Sequence, residues 1–157
     1  MWWLLVSAAL ANKWDGHDAD VLRRQVVPLP REEVQRILGD WKGWERLLPC
    51  ASEWELHDRT AGVDARSRAL YTIGPLRRRL VGVIRKDEPG LVTTLELEGE
   101  KGWITQITFG DAPEGMTEVI LHTPLNAPKW PVTGMFFTKV RPAWEQCYDE
   151  LLAGLGR

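Results

Sequence analysis

The chain has 157 residues, 44% of them hydrophobic and 27% charged, with a formal net charge of −2. That length suits one domain with its own core, and that balance excludes a disordered chain and gives no electrostatic pull toward nucleic acid. Two cysteines, Cys50 and Cys147, stand far apart with no Cys/His cluster near either, so neither a metal site nor a cofactor is expected. Nine tryptophans are the unusual count; they fit a cavity or an interface, and equally a core built from large residues.

Met1 to Ala11 is apolar and uncharged, too short for the roughly 20 residues of a spanning helix. No positive region precedes it, although Ala9 and Ala11 imitate a cleavage site. A helix packed on the domain or a frayed terminus ranks first, ahead of peripheral membrane contact through Trp2 and Trp3 and ahead of export. Asn12 to Asp20 reads as a polar linker. Residues 1–20 are thus an apolar segment with its linker, and 21–157 form the domain. With separated cysteines the default compartment is the reducing cytoplasm, with that membrane contact as an addition and one long-range Cys50–Cys147 disulfide as the alternative.

Val21 to Leu29 is β-rich and stops at Pro28 and Pro30. Pro30 can open a helix whose first turn carries Glu32 and Glu33, whose apolar face is Val34, Ile37 and Leu38, and whose stop is Gly39. A second short helix runs from Trp41 to Leu48. Strands follow at Glu53–Arg59, Ala65–Ile73, Arg77–Lys86, Leu91–Glu98, Trp103–Phe109 and Thr117–Thr123, parted by turn signals. Parity puts Trp54 and Leu56 on one face of their strand, and Ala65, Ser67, Ala69, Tyr71 and Ile73 on one face of the next. Arg77 to Lys86 has no cleanly apolar parity. From about Val132, Phe137, Val140, Trp144, Tyr148, Leu151 and Leu155 recur at helical spacing, with Pro142 as a kink or a first turn. Short turns force antiparallel neighbours, and only the last helix is long enough to cover the sheet. The expected fold is α+β: a curved antiparallel sheet of about seven strands wrapped around a long C-terminal helix, with two short helices after the first strand.

Four stretches in this order, Val26–Val34, Asp40–Pro49, Thr72–Arg79 and Arg141 onward, resemble the START-like (SRPBCC) superfamily, which includes polyketide cyclases/dehydrases and lipid carriers. The resemblance covers about residues 21–155. It implies a helix-grip fold with an apolar cavity between the concave sheet and the terminal helix.

Inward parity and the helical stripe nominate Trp54, Tyr71, Leu95, Trp103, Ile107, Phe137, Trp144 and Tyr148 as ligand-binding residues. Trp44 joins them from the expected mouth. Tyr71, Thr93, Thr105 and Tyr148 are the candidate polar groups. Packing is the competing role for each aromatic residue. Arg66, Arg68, Arg77, Arg78, Arg79 and Arg85 could read an anion, but a solvated convex face ranks well ahead. His57 and His122 share an outward parity and show no partner in the sequence. Asp40, Glu45 and Glu53 rank as surface charges, and Cys147 as an inert buried thiol. There is no nucleophile elbow, phosphate loop or dinucleotide fingerprint, so no catalytic residue is assigned. The leading expectation is a carrier or sensor of a lipid-like or polyaromatic molecule. The alternatives are a polyketide cyclase/dehydratase using the same cavity, and a protein- or membrane-interaction module.

Overall fold

The computed structural model describes residues 19–88, 92–98, 103–125 and 133–157, with backbone alone at 92–98 and 133. Of the expected turn at 87–90, Pro89 and Gly90 lie outside the described residues, as do the turn at 99–102, residues 129–132 of the connection expected at 129–134, and the apolar start Met1–Ala11. Seven strands form one sheet: β1 (Val21–Val27), β2 (Ala51–Leu56), β3 (Arg66–Ile73), β4 (Leu76–Glu88), β5 (Val92–Glu98), β6 (Trp103–Gly110) and β7 (Thr117–Thr123). Their spatial order is β1-β7-β6-β5-β4-β3-β2, every pair antiparallel. Consecutive strands from β2 to β7 are neighbours because short turns permit nothing else. β1 closes the order by pairing Val21–Val27 with Thr123–Thr117.

Pro28 ends β1, and Pro30 stands at the N-cap of α1 (Arg31–Leu38), its carbonyl accepting from the N–H groups of Glu33 and Val34. Glu32 and Glu33 occupy the first turn, where the helix dipole favours them. Asp40 caps α2 (Trp41–Leu47) by accepting from the Lys42 N–H at 2.9 Å. That assigns the candidate mouth acid Asp40 a structural role.

β2 and β4 each carry an irregularity. Between Ser52 and Glu55 two residues of β2 oppose one of β3, and Glu53 takes φ 52° there. Such a bulge re-aims the following side chain. Trp54 is thereby kept on the inner side, while Glu53 reaches Arg79 at 2.8 Å. A second shift, between Ile84 and Lys86, explains why β4 has no clean parity in the sequence. The β3–β4 hairpin turns at Gly74, φ 58°, where a Cβ would lie 2.6 Å from the Lys139 carbonyl oxygen. Only glycine satisfies both conditions there.

The terminal helix begins as one α-turn (Thr133–Met135), widens into a π-helical turn (Phe136–Val140) and continues as α3 (Arg141–Leu155). Pro142 lies in the first turn of α3. It has no N–H for the carbonyl four residues back, and the Arg141 N–H bonds Phe136 five residues back. Both sequence readings of Pro142 therefore hold: it opens α3, and it disturbs the helix before it. α3 lies in the concave face and buries Trp144, Cys147, Tyr148, Leu151, Leu152 and Leu155. Arg23 on β1 anchors it through a two-point bond to Asp149 (3.0 and 2.7 Å) and an ion pair with Glu145 at 3.1 Å.

Cys147 is not the free thiol expected from the sequence. It forms a disulfide with Cys50, 97 residues away, with the Cα atoms 5.8 Å apart. Sequence spacing carries no information on such a pairing; the two meet because β2 enters beside α3. The bridge welds the start of an edge strand to the central helix. Closing a loop of nearly 100 residues restricts the unfolded chain strongly. Reduction with dithiothreitol, or Cys50→Ser with Cys147→Ser, is expected to lower the unfolding free energy by about 2–5 kcal/mol. Urea titration with and without reductant measures it, and coincident curves would show that the bridge contributes nothing.

Candidate functional site

The inner faces of α2, β3, β6 and α3 converge on one small cavity of about 30 Å³. Its walls are Trp41, Trp44, Leu48, Cys50, Tyr71, Ile73, Thr105, Trp144 and Tyr148. Trp41 and Trp44, one helical turn apart on α2, both point at the sheet, with ring centroids 6.3 Å apart. Their N–H groups are consumed by the backbone: Trp41 Nε1 donates to the Ala65 carbonyl at 2.9 Å and Trp44 Nε1 to the Leu38 carbonyl at 2.8 Å. Trp41 can lie so close to the sheet because residue 82 is glycine. A Cβ there would sit 2.5 Å and 2.8 Å from the Trp41 ring and 3.0 Å from Ser67 Oγ.

Behind this wall Trp54 extends the aromatic layer, 6.3 Å from Trp41 and edge-on to Tyr71 at 6.2 Å. Trp103 leans on Trp144 with centroids 4.9 Å apart. Two inner polar atoms, Trp54 Nε1 and Ser67 Oγ, have no hydrogen-bond partner among the described residues.

The polar feature of the cavity is a closed triangle of hydroxyls. Thr105 Oγ1 lies 2.9 Å from Thr123 Oγ1 and 2.9 Å from the Tyr148 hydroxyl, which is 2.7 Å from Thr123 Oγ1. All three residues are buried. Burial pushes the Tyr148 phenol upward, against hydrogen bonds from Thr105, Thr123 and Trp144 that favour its ionised form. The Tyr71 hydroxyl stands outside the triangle. Burial drives its pKa far above the ordinary phenol range, with the neighbouring Tyr148 acting in the same direction.

Of the residues nominated from the sequence, Trp44, Tyr71, Trp144 and Tyr148 line the cavity together. Trp54 and Trp103 back it from a second layer. Ile107 is buried in the same core but does not reach the wall, and Phe137 is buried on the π-helical turn, packed edge-on against Phe136. Leu95 pairs with Ile84 and Thr105 in the backbone register, and its side chain, like that of Thr93, lies outside the described residues. The sequence reading missed Trp41, whose contact with Gly82 depends on pairing, and Thr123. Thr123 was legible in part: Thr117, Val119, Leu121 and Thr123 share one parity of β7, and all four are buried.

Arg66, Arg68, Arg77 and Arg79 take the outer parity, as expected. Arg78 does not: its register partner is Tyr71, which puts it on the inner parity at the exposed hairpin end. His122 gains a partner the sequence did not show, Asp20 at 2.7 Å, whose other oxygen accepts from the Leu125 N–H. Among the described residues no group of three His, Cys, Asp or Glu side chains is placed to hold a metal ion. No described helix is long and apolar enough to cross a membrane.

No protein-family model matches the chain, and no curated protein matches it by sequence. Solved structures do match. TTHA0849 from Thermus thermophilus superposes with a TM-score of 0.68 at 22% identity, covering 87% of this chain and 94% of that one. The Zhui aromatase/cyclase from Streptomyces sp. R1128 superposes at 0.66 and 13% identity, covering 87% and 92%. Ara h 8.0201 gives 0.55 at 11% identity, covering 87% and 96%. The architecture shared with these structures is the helix-grip fold: one antiparallel sheet packed around its C-terminal helix.

Two outcomes follow from this geometry. Gly82→Ala forces Trp41 off the sheet and is expected to destabilise by about 1–3 kcal/mol, as overpacking does, with a blue or red shift of tryptophan emission; an unchanged denaturation midpoint would refute the contact. The buried phenols also set an alkaline limit. Their folded pKa values exceed those of the unfolded chain, so their contribution to stability is intact below pH about 10 and is lost as the pH rises beyond it. Tyr71→Phe is expected to flatten that loss between about pH 9 and 11 in urea titrations while changing little near pH 8.

Proposed function

We propose that this chain is a carrier or sensor that encloses a hydrophobic small molecule between its concave sheet and α3. The observation that carries the reading is the cavity itself: five aromatic rings and three aliphatic or sulfur-bearing side chains, relieved by hydroxyls on one side. Ligand sites have this make-up, a mostly apolar wall with a few polar groups to orient the guest. At about 30 Å³ the cavity has room for a couple of waters. A lipid-like or polyaromatic guest therefore has to part the rings. The fold likeness to Zhui, an aromatase/cyclase, agrees with a cavity protein and leaves the chemistry of this chain open to test.

A cyclase or dehydratase acting on a polyketide-like guest is the second reading, favoured by Tyr71. Its phenol is held protonated by burial and sits in the cavity wall outside the hydroxyl triangle. A phenol held protonated there can donate a hydrogen bond to a guest's oxygen, the part an oxyanion stabiliser plays. The disulfide also bears on compartment. It favours an oxidising location over the cytoplasm, or a cytoplasm that tolerates disulfides.

Native mass spectrometry of the protein as purified, followed by denaturing extraction, is expected to reveal a stoichiometric hydrophobic adduct. A clean mass, with no thermal stabilisation by lipids or aromatic polyketides, would overturn the reading. With a ligand in hand, Tyr71→Phe separates the two functions: a carrier keeps its affinity within a few-fold, whereas an enzyme loses turnover while binding survives.

A further inference from the structure

The hydroxyl triangle allows a proton count. Three hydroxyls carry three hydrogens, and the three edges of the triangle, at 2.9, 2.9 and 2.7 Å, are each a hydrogen bond that uses one. Each oxygen donates once and accepts once, so no hydrogen is left for a guest. Each keeps one acceptor site. Thr123 does not line the cavity, leaving Thr105 and Tyr148 as the members that face the guest. The indole N–H groups of Trp41 and Trp44 are likewise spent on backbone carbonyls.

We propose that the hydroxyl triangle is an acceptor surface favouring guests that bear a hydroxyl or amino hydrogen, and that Thr123, which does not touch the guest, sets this polarity by completing the ring. A guest presenting only a carbonyl oxygen finds no hydrogen on the triangle, and the Tyr71 phenol is the other hydroxyl of the wall. To be satisfied it must break an edge of the triangle, which costs a buried hydrogen bond. Removing the Thr123 hydroxyl changes the count. Two hydroxyls then share one bond, and the hydrogen left over on Thr105 or Tyr148 can turn to a carbonyl. The proposal rests on the ligand-binding reading and adds to it the chemical class of the guest's polar group.

The test uses three single-ring probes of similar outline: p-cresol, which can donate, benzaldehyde, which can only accept, and toluene, which can do neither. Binding is followed by NMR titration of the indole N–H resonances, in Tyr71→Phe protein so that the other hydroxyl of the wall is silent. The expected result is p-cresol binding about tenfold more tightly than benzaldehyde, the scale of one buried hydrogen bond. Adding Thr123→Val is expected to shrink that ratio to about twofold or less, and Thr123→Ser, which retains the hydroxyl, to preserve it. Thr123→Ala serves in place of the valine variant should that fail to fold. Benzaldehyde matching p-cresol before Thr123 is altered, or a ratio that Thr123→Val leaves unchanged, overturns this inference; toluene binding in the same series leaves the cavity reading standing. Absence of binding by all three probes overturns both.

Discussion

A sheet of seven antiparallel strands with one apolar face cannot persist alone, and here a single helix has to cover that face. Nearly every other feature of the molecule serves this contact. Arg23 pins the helix to the first strand, the disulfide pins it to the last strand of the sheet order, and the β3–β4 turn comes close enough to Lys139 to demand a glycine. The helix is thus held at three places around its length while its middle, Trp144 to Tyr148, is left to face the cavity.

Polar groups inside such a core are costly unless they are satisfied. The triangle solves this with its own members. The tryptophans divide along the same line. Trp41 and Trp44 have locked N–H groups and behave as walls, whereas Trp54, brought inward by the bulge at Glu53, keeps a buried N–H with no acceptor among the described residues.

Much of this was legible from period and punctuation. Thr117–Thr123 reads as a strand at its true limits, and the β3 face from Ser67 to Ile73 emerges from alternation alone, because period-2 patterning reports which side of a sheet is dry. The helix stripe through Trp144 and Tyr148 is equally plain. What stayed hidden depended on partners distant in sequence. The pairing of Cys50 with Cys147, the fit of Trp41 over Gly82 and the bond between His122 and Asp20 are all products of register and docking. Bulges were the other obstacle: the extra residue near Arg85 blurs the parity of β4, and Arg78 faces inward only because Tyr71 is its partner across the hairpin. Local sequence carries neither fact.

The disulfide has a topological consequence. The covalent loop from Cys50 to Cys147 encloses β2 through β7, six neighbouring strands of the sheet, and leaves outside it β1, α1, α2 and the last two turns of α3. Molecules that open without breaking that bond therefore have a preferred line of cleavage, between β1 and β7. What holds that line is the ladder of backbone bonds from β1 to β7, the Asp20–His122 contact and the ion pair of Arg23 with Glu145, each joining a residue outside the loop to one inside it. β1 is thus joined to the ring of six strands by non-covalent bonds alone, apart from the chain through α1 and α2.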